Sequence, residues 1–278
     1  VMALAPTIML RDDAALHVFD TGQRGTPVVF QHGLGGDAAQ VAQNFPDGPS
    51  RRRLTVECRA QGGSSAGGRR PFSIAMFAED ILAAADAAGF YRFVAGGISM
   101  GAAIALHLAA RYPDRVSGLV LVRPAWTFDA APRNMQPYVE VADLISRLPL
   151  DEARDAFAAS ATANRFRREA PDNLASLLGF FARGNAAVFA EVMRAIANDG
   201  PGVTWAEAAA FAMPALVIGS GIDLVHPLAT ARELVEAIPG AAFAEVTPKA
   251  TDKSSHFAEI RAVIGGFLDS NFNNQDQS

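Results

Sequence analysis

The stretch Arg92-Phe93-Val94-Ala95-Gly96-Gly97-Ile98-Ser99-Met100-Gly101-Ala102-Ala103-Ile104-Ala105-Leu106-His107-Leu108 constrains the fold more than any other. An apolar run suited to a buried strand meets a glycine-rich turn and then an alanine-rich segment of helical character. A strand that reverses at once into a helix crowds the two elements together, so the flanking positions can carry almost no side chain. Gly97-x-Ser99-x-Gly101 meets that demand. The residue at the turn is held in a sparsely populated backbone conformation, a strain of about 1–3 kcal/mol. In return its hydroxyl stands clear of the sheet, and the next amide, that of Met100, opens a helix N-terminus that favours negative charge. This is the arrangement of a nucleophile elbow, and Ser99 is the candidate nucleophile.

The three-residue pattern alone is weak, because 24 of the 278 residues are glycine and Gly63-Ser64-Ser65-Ala66-Gly67 matches it as well. That second copy runs into Gly68-Arg69-Arg70-Pro71, a loop signature with no helix behind it. Ser65 is read as a loop serine.

Around the elbow the chain alternates strands and helices. Ile8–Leu10 and Ala15–Phe19 flank Asp12-Asp13 as a hairpin. Buried strands follow at Val28–Phe30, Leu54–Glu57 and Gly118–Val122, and Ser73 caps a helix that Gly89 stops. The rhythm breaks after Trp126. From there to Phe211 only helical segments are found, at 138–148, 151–160, 172–182 and 186–197, too long a stretch for a loop. A strand at 215–218, a helix at 228–238, a strand at 242–246 and a helix at 257–269 complete the pattern, with a polar, disordered tail expected from Asn271 to Ser278. The expectation is an α/β fold with a mostly parallel central sheet. Residues 1–126 and 213–278 form its core, and 127–212 a helical cap.

Composition narrows the function class. A formal net charge of −5 argues against nucleic acid as a partner. The clusters Arg51-Arg52-Arg53 and Arg69-Arg70 read as solvated loop faces. The single cysteine, Cys58, excludes an internal disulfide and reads as an inert buried thiol. No signal peptide and no membrane span are expected, which implies a soluble cytoplasmic protein. Neither a metal-ligand cluster nor a cofactor motif is evident, so a small-molecule substrate is the expected partner.

Serine needs a base within hydrogen-bond reach. Of His17, His32, His107, His226 and His256, the last lies after the final strand, in a loop at the start of the last helix, and is the best candidate. His17 and His107 read as structural, and His226 as a neighbour packed beside Pro227. A carboxylate must hold that base in the right tautomer. Asp223, after the strand at 215–218, is preferred to Asp252, because loops beyond the strands of an open sheet converge on one crevice. A second amide must face the oxyanion, and His32-Gly33-Leu34-Gly35-Gly36 after a strand supplies one at Leu34.

Taken in order, the His32–Gly36 loop, the Ser99 elbow, the helical insertion, Asp223 and His256 resemble the α/β-hydrolase superfamily from about residue 8 to 269. Cys58-Arg59-Ala60-Gln61-Gly62-Gly63-Ser64 resembles its loop after the fourth strand, usually Arg-Gly-x-Gly-x-Ser, with Ala60 in place of glycine. Arg123-Pro124-Ala125-Trp126 and Thr247-Pro248-Lys249 are similar to a bacterial subgroup of unassigned substrate. The resemblance implies serine acyl transfer on a small, largely apolar ester or lactone. Ser99, His256 and Asp223 would form the triad, with the Leu34 and Met100 amides as the oxyanion hole. A serine at the elbow argues against the dehalogenase and epoxide-hydrolase branches, where aspartate is expected. His32, Gly33, Arg123 and Trp126 are candidate substrate contacts, with a salt bridge to a cap carboxylate as the other role for Arg123. A carbon–carbon bond hydrolase or lyase using the same triad, or a non-catalytic ligand sensor, remain alternatives.

Overall fold

The computed structural model describes residues 4–22 and 24–272. Strands β1 (Thr7–Arg11), β2 (Ala14–Asp20), β3 (Thr26–Gln31), β4 (Arg51–Val56), β5 (Phe93–Ile98), β6 (Val116–Val122), β7 (Ala215–Ser220) and β8 (Ala242–Val246) form one sheet. Their spatial order is β1-β2-β4-β3-β5-β6-β7-β8. The expected hairpin is β1–β2, which joins β4 antiparallel, while β4, β3 and all strands beyond them run parallel. The chain leaves β3 for β4 on one side and returns through β5 on the other. A crevice therefore opens beyond the C-terminal ends of β3 and β5, where ligands of such sheets bind.

Parallel neighbours need crossovers, and apolar residues on both sheet faces need cover. On one face α1 (Ala38–Asn44) and α11 (Lys253–Phe272) bury Val41, Ile260, Ile264 and Leu268 against Val28, Phe30, Val94 and Val120. On the other, α2 (Ile74–Ala87), α3 (Met100–Arg111) and α10 (Leu228–Ala237) cover Val29, Ala95, Leu119 and Val217. Ser73 caps α2, accepting a hydrogen bond from the Met76 amide.

Between β6 and β7 stand α4 (Gln136–Arg147), α5 (Leu150–Ala159), α6 (Ala161–Glu169), α7 (Pro171–Gly179), α8 (Ala186–Ala197) and α9 (Trp205–Ala209). This stretch holds no strand. It is tied to the sheet by polar contacts. The Trp126 indole donates to the Asp199 carbonyl at 2.9 Å, Arg183 to the Gly35 carbonyl at 2.8 Å and Asn185 to the Ala60 carbonyl at 2.9 Å. No helix among the described residues is long and apolar enough to cross a membrane.

Two expectations change. Arg51-Arg52-Arg53 is not a solvated loop but the first half of β4. Each arginine has a carboxylate partner: Arg51 with Asp269, Arg52 with Asp20 and Arg53 with Asp47. Arg53 also lies over the Phe45 ring. Ion pairing and apolar stems let a strand carry charges that read as surface. The last helix starts at Lys253, not 257, because Asp252 caps it, accepting from the Ser254 and Ser255 amides at 2.9 and 3.1 Å. It runs through Phe272, so Asn271 is helical, and the rest of the expected tail lies outside the described residues.

Candidate active site

Ser99 is the hinge between β5 and α3, with φ 54° and ψ −108°. The reason lies in its two glycines. A Cβ on Gly97 would stand 2.6 Å from the Gly101 backbone, and one on Gly101 only 2.4 Å from the Gln31 carbonyl oxygen of β3. Contacts that short do not occur, so helix, turn and strand close only with glycine at both positions. Positive φ recurs at Arg123 (45°), just past β6, and at Ile222 (53°), just past β7. Strained backbone thus gathers at one end of three adjacent strands, as functional sites often show.

These strand ends share a cavity of about 90 Å³. Gly33 and Leu34 line it from beyond β3, Ile98 and Ser99 from β5, Arg123 from β6, Val225 and His226 from β7, and Lys249 from β8. Tyr138, Asp172, Asn173, Ser176 and Phe180 close it from the inter-strand helices, and Gln40 from α1. The Gly33 amide donates to Gln40 Oε1 at 2.7 Å and the Gly35 amide to Gln61 Oε1 at 2.7 Å, which fixes the glycine loop. The amides of Leu34 and Met100 have no hydrogen-bond partner among the described residues.

The acid loop is clamped from both sides. Asn173 Oδ1 accepts from the Leu224 and Val225 amides at 2.8 and 3.2 Å, and Asn134 Nδ2 donates to the Ala125 and Val225 carbonyls. Asp223, with its side chain only 4% exposed, accepts from Arg123 Nε at 2.9 Å and from Arg123 Nη2. Its two oxygens also lie 3.0 Å from His226 Nδ1, and Oδ1 accepts from the His226 amide at 2.9 Å. Burial pushes the Asp223 carboxyl up, but the His226 ring and the Arg123 guanidinium outweigh it and hold the group well below the usual carboxylate range. Burial, aided by Arg123 and Lys249, pushes His226 below its ordinary value against the pull of Asp223. Lys249 Nζ pairs with Asp172 at 2.9 Å.

The family is recorded in the sequence as well as the shape. The pattern described as the alpha/beta hydrolase fold matches residues 26–260. The chain belongs to the alpha/beta hydrolase fold family. A Klebsiella pneumoniae (strain 342) protein provisionally named carbamate hydrolase RutD is 30% identical over 239 residues, covering 78% of this chain and 81% of its own. The crystal structure of the enol-lactonase from Burkholderia xenovorans LB400 superposes with a TM-score of 0.69 at 25% identity, covering 95% of this chain and 98% of its own. The meta-cleavage product hydrolase CumD of Pseudomonas fluorescens IP01 shares the fold at TM-score 0.71 and 18% identity, over 96% and 99% of the two chains.

Within this alpha/beta hydrolase, the sequence candidates fall into two groups. Ser99, Leu34, Gly33 and Arg123 line the cavity, and Asp223 lies against Arg123 and His226, which line it too. The others do not line it. His32 is fully buried, its Nε2 accepting from the Cys58 amide at 3.0 Å and its Nδ1 facing the Gly33 carbonyl at 2.7 Å. Both ring nitrogens are occupied, so His32 staples two loops. Trp126 is buried and anchors the helices through Asp199. Arg123 finds its carboxylate on the acid loop, not on the helical segment. Asp252, the competing acid, is an exposed helix cap.

His256 feels the charges of Arg123, Lys249 and Asp223. It stands in the first turn of α11, its Nδ1 is 2.7 Å from the Thr247 carbonyl, and no hydrogen bond joins it to Asp223 or Ser99. Its Nε2 is buried without a partner among the described residues. Asp252 caps the helix just before His256, and Lys249 of the preceding loop lines the cavity. His226, read as a packing neighbour, holds the place beside Asp223. The signal was its spacing, since Asp223-x-x-His226 puts the imidazole one turn from the carboxylate.

Proposed function

We propose that this hydrolase cleaves an ester-like bond in a small molecule through an acyl-enzyme on Ser99. One observation carries the reading: Ser99 sits strained at the elbow, on the wall of a cavity beyond the strand ends, with unpartnered amides at Leu34 and Met100. Ser99 Oγ attacks the carbonyl as a histidine base takes its proton. The two amides hold the oxyanion, and each such donor is worth about 10²–10³ in rate. Water then releases the acid. Residues 127–212 act as the cap, since Tyr138, Asn173 and Phe180 close the cavity over Ser99.

The cavity bounds the substrate. At about 90 Å³ it equals roughly three water volumes and lies far below the 300–1,000 Å³ typical of drug-sized sites. Its wall mixes Leu34, Ile98 and Phe180 with Arg123, Lys249 and Asp172. A short acyl group on a polar molecule fits better than the largely apolar substrate expected from sequence. The enol-lactonase likeness favours a lactone within this class, and the carbamate hydrolase likeness a carbamate. Hydrolysis of p-nitrophenyl acetate, butyrate and octanoate by wild type and Ser99→Ala tests the proposal. Turnover should fall with chain length and vanish in the variant. Full turnover by Ser99→Ala refutes it.

A further inference from the structure

We propose that the substrate carries a carboxylate at the far end of its acyl chain, and that Lys249 binds it in exchange for Asp172. The inference rests on the serine-hydrolase reading above and names its substrate class. Lys249 and Ser99 line the same cavity of about 90 Å³, which leaves room for only a few chain atoms between the scissile carbonyl and the ammonium. Lys249 Nζ already holds a carboxylate there, that of Asp172, another wall residue, at 2.9 Å. The wall thus contains a cation with a carboxylate seated on it.

The charges facing the cavity do not balance within its wall. Among the described residues Arg123 and Lys249 both line it, against one lining carboxylate, Asp172. Arg123 is answered by Asp223, which is not a wall residue, through Nε and Nη2. Tyr138 adds a donor. Its ring is buried against Phe180, 5.7 Å between centroids, and its hydroxyl has no hydrogen-bond partner among the described residues. Burial, with Asp223 nearby, pushes this phenol above its ordinary value, so it keeps its proton at neutral pH. Two cations and a buried phenol on one wall suit an anion.

Of the two ion pairs, the one at Lys249 can exchange. Asp172 lies in the first turn of α7, in the helical segment, whereas Lys249 stands in the loop after β8, so their contact crosses the seam between that segment and the sheet. Their side chains are 26% and 21% exposed, and an ion pair so open to water contributes little. The lysine's own loop is fixed. The Pro248 carbonyl accepts from the Thr251 and Asp252 amides at 2.9 and 3.1 Å, and Glu259 takes the Thr247 amide at 2.7 Å. A carboxylate entering the cavity therefore meets a positioned ammonium whose present partner is weakly held and sits on a separate element.

The test is hydrolysis of monomethyl succinate and methyl butyrate, followed by pH-stat titration, on wild type, Lys249→Met and Asp172→Asn. The two esters have equal acyl length and differ by the terminal carboxylate. Wild type should favour the succinate; a preference for the butyrate overturns the proposal. The ratio of kcat/KM for the succinate to that for the butyrate should fall about 10–100-fold in Lys249→Met, the range of a lost charge-assisted hydrogen bond. In Asp172→Asn, which removes the competing carboxylate, it should rise. Both substitutions break the same ion pair, so a purely structural tie would move the ratio the same way in both. A ratio unchanged in Lys249→Met, or lowered in both variants, overturns the proposal. If Lys249→Met fails to fold, Asp172→Asn decides: a raised ratio supports the anion site, and an unmoved or lowered one refutes it. If wild type hydrolyses neither ester, the ester reading fails instead, and calorimetric binding of succinate decides the anion site. Weaker binding to Lys249→Met than to wild type supports it, and equal or absent binding refutes it.

Discussion

Replacing Gly101 with alanine puts a Cβ 2.4 Å from the Gln31 carbonyl oxygen and 2.8 Å from its carbon. Both are backbone atoms of β3, in the middle of the sheet, so neither can swing aside. Ordinary contact begins at 3.4 Å, and α3 must therefore retreat by about 1 Å. Forcing a well-packed interface apart costs about 1–3 kcal/mol, offset by roughly 1 kcal/mol because alanine is the better helix former. The net loss, at most about 2 kcal/mol, lowers the melting temperature by up to roughly 8 °C in a domain of this size. Activity should suffer more, because a displacement of about 1 Å at the reacting atom costs on the order of 10²-fold in kcat. Gly266 is the internal control: it too is helical, in α11, but a Cβ there meets nothing within 4 Å. Gly266→Ala should gain about 0.5–1 kcal/mol and leave turnover unchanged. Thermal melts and p-nitrophenyl acetate kinetics on both variants decide the matter. A Gly101→Ala enzyme as stable and as fast as wild type would refute the steric reasoning.

Further outcomes follow from the charges. Removing Arg123 (Arg123→Met) takes away a cation that holds both His226 and His256 down, so the acid limb of kcat/KM should move to higher pH; an unmoved limb contradicts a histidine base beside Arg123. Burial holds His32, His226 and His256 below their ordinary 6.5 in the folded chain. The unfolded chain therefore binds protons first, and stability, full above pH 6.5, should decline as pH falls below it. Urea midpoints at pH 7.5 and 5.5 measure this, and equal midpoints refute it. Arg59, fully buried, pairs with Asp80 through two contacts of 2.7 and 2.9 Å. Asp80→Ala strands that charge and should cost about 3–5 kcal/mol in denaturant unfolding; a loss below about 1 kcal/mol would show that Asp12 alone satisfies it.

Much of the fold was legible because its signals are local. Apolar runs, Ser73 as a cap and the helix-only stretch after Trp126 predicted elements that the structure contains. The shorter helices α1, α6 and α9 were missed. α9 was marked by its capping box, Thr204 with Glu207, and α6 by Ser160 as cap. Ala60, the departure from glycine in the loop after β4, has φ 59°, so the position keeps the conformation for which glycine is usual. The Arg51–Arg53 run misled because its partners Asp269, Asp20 and Asp47 are not its neighbours in the chain.

The sequence by itself determined what steric exclusion and hydrophobic period can write into consecutive residues: the parallel sheet, the Ser99 elbow, and the loops at Leu34 and Asp223 beyond strand ends. Tertiary structure alone decided which histidine meets the acid. Both His226 and His256 follow Asp223 in the chain, and the contacts of about 3 Å from Asp223 go to His226. A strand or turn is fixed by residues adjacent in the chain. A proton relay is fixed by where side chains end, and that depends on every element packed around them.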